Sequence, residues 1–256
     1  MIFVDLDLNW PNGGPIRKGN AMVNGRKIAG IIAAGVAFML SGGVLAEGSV
    51  SQLSGTLSVK KADGTVRILS QKSQIQPGDT INTQRDSYAQ IKFPDGGQIT
   101  LKPNTSVKLD SFNFNQAEPK NDNMVFGLVK GGMRAVTGLV GKRGDPDAYK
   151  LNTATATIGI RGTTYGVDDC DTTKCDDLPG AVYVSVADGE IVASNAAGAV
   201  SFLAGQFGSI ESRDRLPRFL STDPGLQFTP PASFIQSITG GTAVNSGKSM
   251  ECVVRR

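Results

Sequence analysis

Apolar and polar side chains alternate along most of the chain from Gly55 onward, a pattern that predicts short β-strands. Three pairs of alternating runs flank turn-forming sequences and therefore predict three β-hairpins. Their turns are Asp63-Gly64, Pro94-Asp95-Gly96-Gly97 and Asp188-Gly189. Between Glu47 and Ile210 no window reads as an amphipathic helix of about 12 or more residues. The pattern predicts an all-β domain, an antiparallel β-sandwich or roll of short hairpins, preceded by an N-terminal apolar helix.

The first and third predicted hairpins are alike in sequence. Residues 55–66 and 180–191 align without a gap and share Gly, Val, Ala, Asp and Gly at matching positions. The likeness indicates either an old duplication, with both hairpins at equivalent places in the sheet, or two strand pairs that use the same turn chemistry.

An apolar run of 19 residues, Ile28 to Ala46, follows Arg26-Lys27 and ends on small residues. This layout is typical of a secretory signal peptide, and it predicts cleavage between Ala46 and Glu47. The alternative is an uncleaved anchor, since such a run almost spans a bilayer. Met22 is the better start, so residues 1–21 are interpreted as an upstream extension and residues 22–46 as the signal peptide. We therefore expect a periplasmic or cell-surface protein that meets the membrane only through this segment if it stays uncleaved.

Histidine is absent from all 256 residues, and this absence narrows the possible chemistry. Without imidazole the chain lacks the usual general base, the serine and cysteine triads, and the commonest transition-metal ligand. A glycosidase built on two carboxylates stays open as a weaker alternative. We expect a non-enzymatic protein with no cofactor and no metal site.

The charge balance gives no reason to expect a nucleic-acid partner. Removal of residues 1–46 takes away four basic and two acidic side chains, which leaves 22 basic and 21 acidic ones. A chain this close to neutrality offers no broad attraction for nucleic acid or an anionic membrane surface. One basic run, formed by Lys130, Arg134, Lys142, Arg143 and Lys150, suits either an acidic envelope polymer or a solvated face.

Two of the three cysteines, Cys170 and Cys175, enclose four polar residues in a loop. In an oxidising compartment this spacing favours a disulfide, which would stabilise the fold by about 2 kcal/mol. A metal site among the neighbouring aspartates and free thiols in a solvated loop are the alternatives. Cys252 lies in a Pro/Ser/Gly-rich segment, residues 217–256, that is interpreted as an extended tail.

Five sequence blocks, in order, resemble the FecR domain of bacterial extracytoplasmic proteins. They are Gln76–Thr83, Asp86–Gly96, Leu101–Thr105, Leu128–Arg134 and Ala156–Thr163. The resemblance covers about residues 55–167, with a trailing hairpin over 180–210, and it places the whole domain at 47–216. It implies a β-rich module outside the cytoplasm, in agreement with the strand pattern and the export signal.

Most residues of these blocks are interpreted as structural. Glycines are expected at turns or bulges that need positive φ or close backbone approach, and aspartates at turns where they accept backbone N–H groups. Arg161 lies in an apolar strand, so a buried ion pair is the favoured interpretation and a ligand contact the alternative. The family-motif residues are Gly78, Asp79, Asp95, Gly96, Gly131, Arg134, Gly159, Arg161, Gly162 and Thr163.

The resemblance also suggests a function. The best-known members of the family are membrane-spanning regulators that relay the occupancy of an outer-membrane transporter to a sigma factor. They carry a cytoplasmic segment of many tens of residues before one transmembrane helix, whereas this sequence has at most 27 residues before its apolar run. We expect a stand-alone exported module that binds or senses an envelope protein or surface polymer. The alternative is a structural or adhesive envelope protein without signalling.

Overall fold

The computed structural model describes residues 48–173, 175, 178–226, 230, 231 and 234. The predicted upstream extension, the signal peptide and its cleavage site at Ala46 and Glu47 lie outside these residues, as does most of the predicted tail. Among the residues described, no helix combines the length and apolarity needed to cross a bilayer.

Fifteen β-strands and one 3-10 turn at Pro119–Asn121 make up the regular structure in this part of the chain. The strands are β1 (Gly48–Ser54), β2 (Leu57–Lys60), β3 (Val66–Leu69), β4 (Gln74–Ile75), β5 (Thr80–Thr83), β6 (Tyr88–Lys92), β7 (Gln98–Leu101), β8 (Ser106–Asn113), β9 (Asn123–Val136), β10 (Tyr149–Asn152), β11 (Thr157–Asp169), β12 (Val182–Asn195), β13 (Gly198–Leu203), β14 (Phe207–Ile210) and β15 (Arg218–Leu220). The predicted all-β fold is confirmed. Pairing is antiparallel except between β9 and β10, which are parallel.

All fifteen strands join one hydrogen-bonded sheet, and this sheet folds into two layers. In the first layer the order is β3-β2-β5-β8-β9-β10-β11-β12-β13. In the second layer it is β4-β1-β6-β7-β9-β11-β12-β14-β15. The long strands β9, β11 and β12 therefore belong to both layers.

Each shared strand bends at a glycine with positive φ. These residues are Gly131 in β9, Gly162 in β11 and Gly189 in β12, with φ of 81°, 65° and 80°. Residues with a side chain rarely adopt positive φ, so glycine at these positions allows each strand to pass from one layer into the other. Around Gly162 the pairing of β11 with β12 also shifts register, as expected of a bulged corner.

The hydrophobic core lies between the two layers. Phe93, which follows β6 in the second layer, contacts Phe112 and Phe126 of the first layer, with ring centroids 5.4 and 5.6 Å apart. Tyr149 of β10 meets Tyr165 of β11 in the same interior, and their hydroxyl oxygens are 3.3 Å apart. Burial raises the pKa of both phenols, so both stay protonated, and the Tyr165 hydroxyl donates to the Tyr149 oxygen.

The predicted first and second hairpins are present as β2–β3 and β6–β7. The predicted third hairpin, with its turn at Asp188-Gly189, is wrong because β12 runs through both residues without turning. Near Gly64 the chain turns back, since the Gly64 N–H donates to the Lys61 carbonyl and the Thr65 N–H to the Asp63 carboxylate. Near Gly189 the chain stays paired with β11 and only bends.

The duplication suggested by the two similar segments therefore has no counterpart in the sheet, because one forms a hairpin and the other a continuous strand. The true hairpin at this end joins β12 to β13. Strand β15 lies within residues 217–256, the segment predicted as a tail, and pairs with β14. Phe234 is also buried, and its ring centroid is 6.1 Å from that of Tyr88.

Replacement of Gly189 tests the importance of these bends. A methyl group there would lie 2.6 Å from the Gly162 carbonyl oxygen and 2.7 Å from Thr163 Cγ2. We expect Gly189→Ala to lower the free energy of unfolding by about 2 kcal/mol more than Gly205→Ala. Gly205 has a similar φ of 82° but open space around it, so its replacement reports backbone strain alone, about 1 kcal/mol. Urea unfolding followed by circular dichroism measures both losses. Equal losses for Gly189→Ala and Gly205→Ala would contradict the close packing at the bend of β12.

Candidate functional site

A cleft of about 370 Å³ opens on the outward face of the second layer, and we call it the outer cleft. Strands β9, β11, β12 and β14 contribute to it, and the segment Asp223–Leu226 forms one wall. The side chains that give the cleft its chemistry are Lys102, Arg134, Asp168, Tyr183, Ser185 and Phe207.

Strand alternation places these residues. On β11, Tyr165 and Val167 are buried in the core, while Gly166 and Asp168 face the cleft; β12 and β9 follow the same rule. The floor is deep because Gly166, directly opposite Ser185 in the register, has no side chain. A methyl group on Gly166 would come within 2.7 Å of Ser185 Oγ. Two small residues side by side therefore create the space.

An ion pair closes one end of the outer cleft. The Lys102 ammonium donates to Asp168 Oδ1 at 2.7 Å and to the Leu226 carbonyl oxygen at 2.9 Å. Both side chains are mostly buried, with 18% of Lys102 and 11% of Asp168 exposed. Burial raises the pKa of Asp168 from its ordinary value, and the attraction of Lys102 lowers it in part. Lys102 therefore both neutralises a buried carboxylate and holds the cleft wall in place.

The predicted disulfide between Cys170 and Cys175 is present and lies next to this wall. Cys170 packs with Ala181 and Tyr183 in a small apolar cluster that also contacts Leu220 and Leu226. The Tyr183 hydroxyl donates to the Pro179 carbonyl oxygen at 3.0 Å. The loop and the wall segment are therefore packed on the same tyrosine.

Two of the aspartates near the disulfide, Asp168 and Asp169, have partners within the chain. Asp168 pairs with Lys102, and Asp169 Oδ1 accepts the backbone N–H groups of Asp171 and Thr172 at 3.1 and 3.0 Å. Within the described residues, no three potential metal ligands gather at one point.

Of the family-motif residues, only Arg134 lines the outer cleft. Asp79 and Asp95 are buried turn residues: Asp79 accepts the Gln76 N–H at 2.9 Å, and Asp95 accepts the Gly97 N–H at 2.9 Å. Asp79 also pairs with Lys61 at 2.7 Å. Their carboxylates hold the chain locally, as the sequence predicted.

The predicted role of the glycines is confirmed at most positions. Gly78 and Gly96 both have φ of 86°, and Gly131 packs against the backbone of Thr105. Gly159 is the exception, since its φ is not positive and a methyl group there would meet nothing closer than 3.8 Å.

Arg161 does not form the buried ion pair predicted for it. Its side chain is exposed, and it pairs with no carboxylate that the structure describes. The reason is the alternation of β11, which turns Ile158 and Ile160 inward and Arg161 outward. Thr163 is buried at the following bend; its backbone carbonyl accepts the Thr137 N–H at 3.0 Å, and its hydroxyl has no partner among the described residues.

Removal of the Lys102 ammonium tests the closure of the cleft. At pH 7 we expect Lys102→Met to lower the free energy of unfolding by about 2 kcal/mol, because Asp168 is left buried and charged. The exposed pair of Lys108 and Asp110, with 47% and 33% of the side chains exposed, supplies the control. Lys108→Met should cost less than about 0.5 kcal/mol.

The effect should also depend on pH. Loss of Lys102 raises the pKa of Asp168 further. A buried carboxyl with a raised pKa destabilises the fold when it is charged, and protonation removes this destabilisation. The difference in the free energy of unfolding between the wild type and Lys102→Met should therefore shrink as the pH falls from 7 toward about 3. Chemical unfolding at several pH values measures this difference. A difference that stays constant with pH would show that the ion pair contributes nothing to stability.

Known proteins show the following similarities. Residues 79–192 match the model of the FecR protein family, from the turn before β5 into the second half of β12. Two crystal structures of a candidate anti-sigma factor from Parabacteroides distasonis align with 56% of this chain and 60% of theirs, at 13% and 14% identity and TM-scores of 0.42 and 0.43. The alignment thus spans about three-fifths of those chains.

A structure described as a cell surface anchoring domain aligns with 25% of this chain and 83% of its own length, at 27% identity and a TM-score of 0.24. No curated protein matches significantly. The family match covers β5 to β11 and most of β12, including the bends at Gly131, Gly162 and Gly189. Residues 79–192 of the chain therefore match a FecR domain.

Proposed function

We propose that this protein is an exported, non-catalytic sensing module of the bacterial envelope, and that the outer cleft is its recognition surface. The observation that carries the proposal is the cleft itself. Its volume lies in the range of natural ligand sites, and it combines an apolar floor with a few fixed polar groups. The FecR domain supports a role in signalling.

The chemistry of the cleft suits an extended segment of an envelope protein or surface polymer. Tyr183 and Phe207 offer aromatic surface, which contributes much binding energy at little conformational cost. Arg134 is exposed at one rim, so its charge can fix the orientation of a bound chain. The small residues Gly166 and Ser185 leave room for the bound segment.

The strands that line the cleft also couple such binding to the rest of the domain. Strands β11 and β12 contribute the cleft floor in the second layer and continue into the first layer beyond their bends. A ligand that favours one arrangement of these strands would act on both layers, which is the property that a sensor needs.

Filling the cleft tests the proposal. In cells that lack the gene, we expect changed transcript levels under envelope stress or iron limitation, and restoration by the wild-type protein. Ser185→Arg should reduce this restoration at least about tenfold, because the new side chain occupies the cleft. Ser201→Arg, on the exposed face of β13, is the matched control and should restore the response fully. Both variants should be exported and folded at wild-type levels.

Two outcomes would contradict the proposal. Unchanged transcripts after deletion would rule out signalling and favour the structural or adhesive role. Full restoration by Ser185→Arg would show that recognition takes place elsewhere on the domain.

A further inference from the structure

We propose that a second site, at the bend of β11, binds a phosphate-type oxyanion. The site is a pocket of about 340 Å³ between the loop of residues 141–146 and the pair Arg161-Gly162, and we call it the corner pocket. The pocket shares no lining residue with the outer cleft. The proposal therefore does not depend on the function argued above.

Two cationic side chains from different elements reach the corner pocket. Arg161 comes from β11 and Lys142 from the loop, and both are exposed. Lys142 passes close to Gly162, since a methyl group on Gly162 would lie 3.4 Å from Lys142 Cγ, an ordinary van der Waals contact. The aliphatic part of Lys142 thus passes over the residue next to Arg161, and the two charged groups belong to one pocket.

The acidic groups nearby form no ion pair with these two cations. Asp145 lines the pocket, but its Oδ1 accepts the backbone N–H of Asp147 at 2.8 Å. Glu190 lies opposite Arg161 in the strand register, yet the two side chains form no ion pair. Neither Lys142 nor Arg161 is paired with a carboxylate in the described part of the chain.

Arg143, the third cation of the pocket, already has partners within the chain. The Arg143 guanidinium donates to Asp122 Oδ2 at 3.2 Å and lies 5.1 Å from the centre of the Phe114 ring. It also donates to the carbonyl oxygens of Asn115 and Gln116. These contacts anchor the loop, so the backbone of Lys142 is held near Arg161 before any ligand binds.

The pair of cations selects the ligand. A guanidinium presents a planar fork of N–H donors, and an ammonium adds a compact charge with donors in other directions. A phosphate group has several acceptor oxygens and up to two charges, so it satisfies both cations at once, whereas a carboxylate is satisfied by the arginine alone. Inorganic phosphate and a phosphate group on an envelope polymer share this chemistry.

A titration of the full-length isotope-labelled protein, followed by backbone amide NMR, tests the site. Sodium phosphate should shift the amides of residues 141–144 and 161–163 with saturation below about 10 mM. Arg161→Gln and Lys142→Gln should each weaken binding about tenfold or more. Both side chains are exposed, so the melting temperature should not change.

Controls and a second ligand sharpen the test. Arg134→Gln in the outer cleft and Lys150→Gln on β10 should leave phosphate binding unchanged. If poly(glycerol phosphate) binds more tightly per phosphate group than inorganic phosphate, the ligand is a phosphate group on a polymer. If the two affinities are equal, the ligand is free phosphate. The proposal is overturned if no saturation occurs, if sodium acetate binds equally well, or if the two variants bind like the wild type.

Discussion

The layered structure depends on one backbone constraint, the ability of three long strands to change direction without ending. Gly131, Gly162 and Gly189 adopt positive φ at these points, and Gly189 packs directly against the backbone of Gly162. Because the strands stay hydrogen-bonded through the bends, neither layer has to begin with new edges there. The core between the layers and the surfaces outside them both follow from this arrangement.

Strand alternation then separates stability from recognition. Inward side chains of β9, β11 and β12 contribute to the core, where the hydroxyl groups of Tyr149 and Tyr165 are hydrogen-bonded. Outward side chains of the same strands supply Arg134, Asp168 and Arg161. A surface residue can change here without disturbing the core, which suits a scaffold that presents different sites on one framework.

Much of the fold could be predicted from local patterns, because period-two alternation and turn residues act over short distances. The hairpin at Asp63-Gly64 and the disulfide loop are such local features. The same dipeptide at Asp188-Gly189 was misleading, since the residues that decide between a turn and a bend lie on β11 and are distant in sequence. Arg161 was misassigned because an apolar neighbourhood in the sequence does not show which face of the strand is buried.

The candidate site was harder to predict for the same reason. Lys102 meets Asp168 across 66 residues and Leu226 across 124 residues, and no local pattern carries such information. Arg134 was noted as a member of a basic run and of a family motif, but neither pattern places it in a cleft. Ser185 and Gly166 matter because their small size leaves space. Only the register of β11 and β12 brings these residues together.

Long-range pairing of this kind also sets the pace of folding. Strand β12 connects residues 157–169 with 198–210, and β15 completes the edge only when residues 218–220 arrive. Contacts between distant parts of a chain form slowly because loop closure is costly before they are made. Since β13 and β14 pair with β12, and β15 pairs with β14, the domain should acquire its full sheet late, and the wall of the outer cleft should be among the last parts to close.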